Sequence, residues 1–422
     1  MKHCLALNCL LVFSTSVVAD VVSFNWDYTL SASTAQHRDS ALLGKLNDSS
    51  SETVDALIDL QLEGYGFTGL IAAKGNQVYS SDSSESYDGE LIIQELFWQG
   101  STEFFKAPID LTLGKVRLDW GVGYGYRPLD VFKPYRRNPV GIQVEEGTGV
   151  AMASYFDMSG EWSLVYSDSS WTQQEGSQLE EASQQQGIGL RRYVLSGDSE
   201  WQGLAYYDDV RQGLLGGSFV TVLNDAWSLH SSALYQRKFL SYVQGESHAP
   251  VSLAEQTDAV QALVGLNWVN AVGNNIILEY WYDSRSWSQS EWNNAFERVA
   301  FLSNDQSLKP LASSYAQGLN NANLVQHNVM FHWSLDSSSW SQWSWSNEFL
   351  WLNKLTPTFD LLYSPQDQGV IATQWLDYRV YDSGSASFSA ELAARFMTGD
   401  SESVYANLSD KRMIFINLRG RF

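Results

Sequence analysis

Cysteine is nearly absent from this chain. There are two, Cys4 and Cys9, both within an apolar stretch near the amino end. From residue 20 onward the sequence therefore supports no disulfide, no thiol nucleophile and no thiolate metal site. Long apolar runs are missing as well: beyond that first stretch none reaches the roughly 18 residues that a membrane-spanning helix needs. Basic residues are scarce, 26 against 48 acidic, and a net charge of −22 would repel the phosphates of nucleic acid. No repeat of about 20–50 residues stands out, which counts against a solenoid or a propeller. The glycines between Trp120 and Tyr126 do not make a nucleotide loop, because neither a helical pattern nor a Lys-Ser/Thr pair follows them.

What the chain does have is aromatic side chains and alternation. It carries 17 Trp, 21 Tyr and 19 Phe. Hydrophobic residues make up 44% of it, yet its mean hydropathy is −0.23, so the apolar groups are dispersed along the sequence. That is the composition of strands that show one face to lipid and the other to water. Alternating segments are read at 22-31, 54-63, 66-74, 90-99, 108-119, 148-157, 160-168, 187-196, 199-208, 214-223, 226-237, 258-269, 274-284, 323-334, 340-352, 369-381, 385-397 and 411-422. Connections after the even-numbered segments are brief. Those after the odd-numbered ones are mostly long and polar, as at 121-147, 169-186, 238-257 and 285-322. The expected fold is all-β: a transmembrane antiparallel up-and-down β-barrel of about 18 strands, with 16 as the alternative.

Faces follow from the period of two. In the second segment Val54, Ala56, Ile58, Leu60 and Leu62 oppose Asp55, Asp59, Gln61 and Glu63. In the fifteenth, Trp343, Trp345, Phe349 and Trp351 oppose Ser344, Ser346 and Glu348. In the seventeenth, Phe388, Ala390, Leu392 and Phe396 oppose Ser387, Ser389, Glu391 and Arg395. A Lys or Arg facing lipid at mid-membrane costs roughly 2–4 kcal/mol, and Asp or Glu somewhat less. Asp55, Asp59, Glu63, Glu348, Glu391 and Arg395 are therefore expected to line a water-filled lumen. The segments at 90-99 and 187-196 do not sort cleanly.

Both ends of the chain carry an address. Residues 1-19 read as a signal peptide: a charged start, an apolar stretch from Cys4 to Val18, and Val17-Val18-Ala19 before Asp20. Residues 20-422 are then expected to form one barrel domain. The last segment, Lys411 to Phe422, places Ile414, Ile416, Leu418 and Phe422 on one face and Asn417, Arg419 and Arg421 on the other. It resembles the closing strand of Gram-negative outer-membrane barrels, although Gly420 stands where a large apolar residue is usual. The resemblance implies that Phe422 is read by the barrel-assembly machinery.

The most distinctive segment runs from Leu113-Gly114-Lys115 through Trp120-Gly121 and Pro128-Leu129-Asp130 to Pro134. It resembles a Leu-Gly-(Arg/Lys)…Trp-Gly…Pro-x-Asp…Pro pattern of porin-like Gram-negative outer-membrane barrels, many of unassigned substrate. What this implies is an outer-membrane channel passing small polar or charged solutes, or exporting a polar product. Lipids and lipopolysaccharide would surround it, and no cofactor would be needed. Alternatives are a non-conducting barrel for assembly or adhesion, or a membrane-embedded lipid hydrolase.

Charge singles out the same region. Lys106, Lys115, Arg117, Arg127, Lys133, Arg136 and Arg137 stand there against Asp110, Asp119 and Asp130. Proline and glycine are concentrated as well, favouring a rigid loop at 121-147 that could fold into the lumen. Lys115, Arg117, Asp119, Arg127, Lys133, Arg136 and Arg137 are thus the candidate constriction. Val116, Leu118 and Trp120 are expected to face lipid. The other reading is a basic outer loop that binds lipopolysaccharide or caps the barrel.

Catalytic and metal chemistry is poorly supported. His230 and Ser232 share a strand face, as in outer-membrane lipid hydrolases, but Trp227, Leu229, Ala233 and Tyr235 take the lipid side, so the pair is read as lumen lining. His327 and His332 fall on opposite faces and make no metal pair. Residues 291-304 are read as a short amphipathic helix in the longest loop.

Overall fold

The computed structural model describes residues 22–45, 49–79, 86–132, 142–174, 176–245 and 249–422. Strands dominate it. They are β1 (Val22–His37), β2 (Ser50–Gly64), β3 (Phe67–Tyr79), β4 (Ser86–Phe104), β5 (Ala107–Val116), β6 (Thr148–Asp157), β7 (Gly160–Asp168), β8 (Gln186–Ser196) and β9 (Ser199–Asp208). The second half adds β10 (Leu214–Asn224), β11 (Trp227–Val243), β12 (Ser252–Val269), β13 (Asn274–Asp283), β14 (His327–Leu335), β15 (Leu355–Ser364), β16 (Gly369–Asp382), β17 (Ser387–Thr398) and β18 (Asp410–Arg421). Each pairs antiparallel with its neighbours in sequence. β18 returns to β1 with Asp27 opposite Arg421, so one 18-stranded sheet closes on itself. Closure removes every sheet edge, which is what a bilayer demands of strands.

One end of the barrel is built from tight turns. Tyr65 and Gly66, and Phe105 and Lys106, hold positive φ, the geometry of two-residue hairpins that matches strand twist. The opposite end carries the long connections. There a helix at Gln289–Leu302, two residues earlier than expected, is capped by Ser288, whose side chain accepts from the Glu291 N–H. Its buried face, with Trp292, Phe296 and Val299, joins Trp287, Tyr242, Tyr315 and Tyr405 in an apolar core that ties several long loops together.

The lipid-facing side follows the expected alternation in most strands. Val54, Ile58 and Leu62 of β2, Leu392 and Phe396 of β17, and Ile414 and Ile416 of β18 are exposed, whereas the alternate positions Leu57, Glu391 and Phe415 are buried. β4 resisted sorting because of a bulge: Leu70 pairs with Glu95 but Ile71 with Ile93, and the register steps at Gln94.

Two expectations are corrected. The fifteenth strand is not 340-352. Residues Ser337–Gln342, Ser344–Glu348 and Leu350–Lys354 form three short 3₁₀ turns, and the true strand is Leu355–Ser364. The Ser/Trp alternation imitates a strand. However, the Asp336 carboxylate accepts from the Ser338 N–H at 2.8 Å, and the Ser346 hydroxyl donates to the Trp343 carbonyl at 2.7 Å, so local bonds divert the backbone. Pro357 hid the true strand. It lies one residue before Thr358, the first β15 residue paired with β14, so its missing N–H interrupts no bond to that strand. Glu348 therefore sits exposed in a connection and does not line the lumen.

The second correction concerns β5, which stops at Val116 and does not run to residue 119. Gly114, at φ +130°, backs onto the Leu96 carbonyl so closely that no β-carbon would fit. Beyond it the alternation is lost. Val116 and Trp120 are buried in an interior cluster with Leu129, Phe132, Val165 and Leu204, against which Leu118 also packs. None of the three faces lipid.

Candidate functional site

The connection after β5 leaves the wall and crosses the barrel interior. On the near side Trp120 meets Phe132 edge-on at 4.8 Å, and Leu129, Val131 and Phe132 pack against inward residues of β6, β7, β9, β10 and β11. Burial of such side chains contributes about 1.5–3 kcal/mol each. The Gln202 amide donates to the Trp120 carbonyl at 2.9 Å, and Arg191 lies over the Trp120 ring. Arg211 donates to the Val131 carbonyl at 2.7 Å.

On the far side the segment docks on β12, β13 and β14. Glu279 is wholly buried between the exposed Leu278 and Tyr280, so it points inward from β13. Its carboxylate accepts the backbone N–H of Tyr124 at 2.6 Å and of Gly125 at 2.7 Å, and contacts His230 Nε2 at 2.7 Å. Gly125 permits this approach: a β-carbon there would lie 2.6 Å from the Met330 sulfur. The Tyr126 hydroxyl lies 2.7 Å from Gln261 Oε1 and 2.8 Å from Asp283 Oδ2. Arg285 grips the same Asp283 carboxylate at 2.9 and 2.7 Å. Burial, and then the neighbouring Asp283, pushes the Tyr126 hydroxyl well above its ordinary pKa. Tyr124 stacks on His332, whose Nδ1 contacts Asp360 at 2.6 Å.

Asp130 closes a small turn within this segment. Its carboxylate accepts the Gly121 N–H at 2.6 Å and faces Arg127 at 3.8 Å. Burial outweighs these contacts and raises its pKa to about 6.

The expected constriction residues are dispersed. Lys115 is opposite the exposed Leu96 in register, yet its ammonium is buried in an ion pair with Glu146, which also accepts the N–H groups of Gln173 and Gln174. Arg117 pairs with Glu95 at 3.1 Å and lies 3.7 Å from Glu145, and Asp119 is exposed. Among the described members of the set, Arg127 borders the 410 Å³ interior cavity. Lys133, Arg136 and Arg137 lie outside the described residues.

Among the lining candidates, Asp55 accepts from Asn76 and Asp59 from Gln94, each at 2.5 Å. Glu63 is exposed near the turn end, where Gln61 donates to it at 2.7 Å. Glu391 is buried and accepts from Asn417 at 2.5 Å, while Arg395 donates to Thr373 at 3.3 Å.

Sequence reading missed Glu279, Asp283, Arg285, Arg211 and Gln261. A signal existed for Glu279, a carboxylate isolated between Leu278 and Tyr280 in an aromatic strand. None existed for Arg211 or Arg285, which look like ordinary loop charges.

Two cavities flank the crossing segment. One, of about 410 Å³, is bordered by Arg127, Asp130, Arg211, Gln236, Gln261 and Arg285. The other, of about 350 Å³, is bordered by Trp281, Asn321, Asn328, Met330, Thr373 and Arg395. Tyr126 and Asn323 border both. His230 is buried against Glu279, and Ser232 is buried on the same strand face.

No protein-family model matches the sequence, and no curated relative matches it. Solved structures resemble it in fold. OccAB1 of Acinetobacter baumannii superposes with a TM-score of 0.53 at 10% identity, over 95% of this chain and 96% of that one. OccK2 (OpdF) of Pseudomonas aeruginosa gives 0.52 at 9% identity, over 96% and 98%. OccK8 (OprE) of the same organism gives 0.51 at 8%, over 97% and 99%. At such identities the likeness speaks to architecture: the chain folds as a closed antiparallel barrel that superposes on theirs over nearly its whole length.

Proposed function

We propose that this chain is an outer-membrane channel for small polar or charged solutes, and that the segment 117–132 is its constriction. The observation that carries the reading is the strap itself. A backbone that crosses a closed barrel, held at Glu279 on one side and at the Trp120 cluster on the other, narrows the interior and is bordered by the cavities of about 410 and 350 Å³. A barrel with nothing to select would not need this. The resemblance of the segment from Leu113 to Pro134 to a pattern of porin-like barrels supports the same reading, as does the barrel fold shared with OccAB1, OccK2 and OccK8.

Residues 1-19 would be removed on export, leaving residues 20-422 as one barrel domain with its long loops outside the cell and Phe422 serving assembly. Arg127 would then meet the solute, with Lys133, Arg136 and Arg137 extending the basic character of the loop and Asp55, Asp59, Glu63, Glu391 and Arg395 lining the wider lumen. Charge at a narrow, partly desolvated passage is little screened by salt, whereas exposed charge is weakened beyond roughly 8–10 Å. Arg127→Glu should therefore shift the reversal potential toward cations in planar bilayers, and the shift should persist at high salt. Arg117→Glu, more exposed and already paired with Glu95, should give a smaller and salt-sensitive shift. Unchanged selectivity in Arg127→Glu would remove the strap from the conduction path, and absence of any conductance would favour a non-conducting barrel.

A further inference from the structure

One connection at the tight-turn end does not belong with the others. Where β2 and β3 are joined by Tyr65 and Gly66, and β4 and β5 by Phe105 and Lys106, β14 and β15 are separated by residues 336–354. This insertion is rich in large apolar side chains and poor in charge: Trp340, Trp343, Trp345, Phe349, Leu350, Trp351 and Leu352 alternate with Ser, Asn and Gln, and its charged residues are Asp336, Glu348 and Lys354. Trp340, Trp343 and Trp345 form a ring cluster with centroids 5.6–6.3 Å apart. Leu350 remains 72% exposed, Trp345 54% and Trp351 51%. Its polar contacts reach only adjacent strands and turns. Gln342 donates to the Val272 carbonyl, Trp340 to Leu355 and Lys354 to Val380. Val380 and Tyr381, at the end of β16, are themselves exposed.

We propose that residues 337–354 are an in-plane membrane anchor, seated in the interfacial region of the leaflet at the tight-turn end. Two observations select lipid over a second copy of the chain or a soluble partner. First, apolar tips also stand in a second sector of that end: Tyr65 is 73% exposed, Phe105 90% and Met158 107%. They sit after β2, β4 and β6, on a different part of the sheet from β14 and β15. A protein partner would cover one sector, while a lipid leaflet surrounds the barrel and covers them all. Second, the exposed rings are mainly tryptophan, whose amphipathic indole favours the membrane–water interface. The patch also runs on into the exposed Val380 and Tyr381 of the wall. Short helical segments with one apolar face lie in this region about 5–10 Å deep.

The test uses the full chain in vesicles, with Cys4→Ser and Cys9→Ser to remove native thiols. Leu350→Cys is labelled with an environment-sensitive fluorophore, and Asp198→Cys, on the polar turn between β8 and β9, serves as the control. Anchoring predicts that a shallow nitroxide-labelled phospholipid quenches the position-350 probe about two-fold or more, while aqueous iodide quenches it weakly, as for interfacial segments. The control should show the opposite. Strong iodide quenching at position 350 with no lipid quenching would overturn the proposal. So would efficient disulfide crosslinking of Leu350→Cys between copies with no lipid quenching, which would assign the patch to a second copy. A Trp345→Ser/Trp351→Ser variant, read by heat-modifiable mobility, separates loss of folding from loss of anchoring.

Discussion

Glu279→Gln is the sharpest perturbation of the strap. The wild-type carboxylate uses one oxygen for the Tyr124 N–H and His230 Nε2 and the other for the Gly125 N–H. Glutamine is nearly isosteric but offers one acceptor and one donor, so the amide –NH₂ must face a donor whichever way it turns. Hydrogen bonds to a charged group contribute about 1.5–3 kcal/mol each, and a buried unmatched donor adds a similar penalty, so the variant should weaken this anchor by roughly 3–5 kcal/mol. At about 1.4 kcal/mol per decade, the detached population of residues 121–125 should rise roughly a hundred- to several-thousand-fold. Tyr126 and the Trp120 cluster still hold the flanks, so the barrel itself should fold and keep its heat-modifiable mobility. Single-channel recordings should show larger open-state noise, and chymotrypsin should cut after Tyr124, which is half-buried in the intact protein. His230→Ala removes one partner without touching the two backbone bonds and should show neither effect strongly. Wild-type noise and wild-type resistance to chymotrypsin in Glu279→Gln would refute the view that this carboxylate holds the strap.

Other expectations follow from the same contacts. Asp130, with its pKa raised to about 6 by burial, favours the protonated form when folded. Its contribution to loop stability is present in full below the unfolded value near 4 and is lost as pH rises through about 6. Chymotrypsin resistance of the strap should therefore be greater at pH 5 than at pH 8, and Asp130→Asn should flatten that difference. Deleting Phe422 removes a ring stacked on Trp26 at 4.6 Å and two backbone bonds to Trp26, each at 3.0 Å. Folded yield and assembly rate should fall, as read by the heat-modifiable band. Gly420→Ala would drive a β-carbon into the Tyr28 ring and should cost about 1–3 kcal/mol of overpacking. Tyr28→Ser should restore folding in the double variant if that collision is the cause.

The departure at Gly420 shows what a one-dimensional pattern omits. Counted along the strand, it is a missing large residue. Across the sheet it is flanked by Tyr28 on β1 and Phe388 on β17, so the apolar bulk at that height comes from neighbours. Alternation legible in β2, β17 and β18 places those strands and their faces because lipid on one side and water or protein on the other impose a strict period of two. That rule fails where backbone geometry changes. Gly114 ends the regular part of β5, and local serine and aspartate bonds turn 337–354 away from extended structure, and neither event alters hydrophobic periodicity. Pro357 then made the real fifteenth strand look like a loop. Strands with a lipid-imposed period were legible in the sequence; the fifteenth, and the end of the fifth, were not.

The site was less legible than the wall because its cations do not act as a block. Reading Lys115, Arg117 and Arg127 together assumed that neighbours in sequence share a destination. In the fold each finds its own carboxylate: Lys115 with Glu146, Arg117 with Glu95, Arg127 with Asp130. The cations missed by that reading do the same, Arg211 with Asp208 and Arg285 with Asp283, over spacings of three and two residues. Local pairing of this kind fixes guanidinium orientation before any solute arrives, and a planar guanidinium with one edge engaged still presents N–H donors on another. For the proposed channel, selectivity then depends less on the summed charge of the loop than on which N–H edges the pairs leave facing the 410 Å³ cavity. Charge-conserving substitutions at Arg211 or Arg285 to Lys, which keep the sign but lose the fixed fork, are therefore as informative as charge reversal at Arg127.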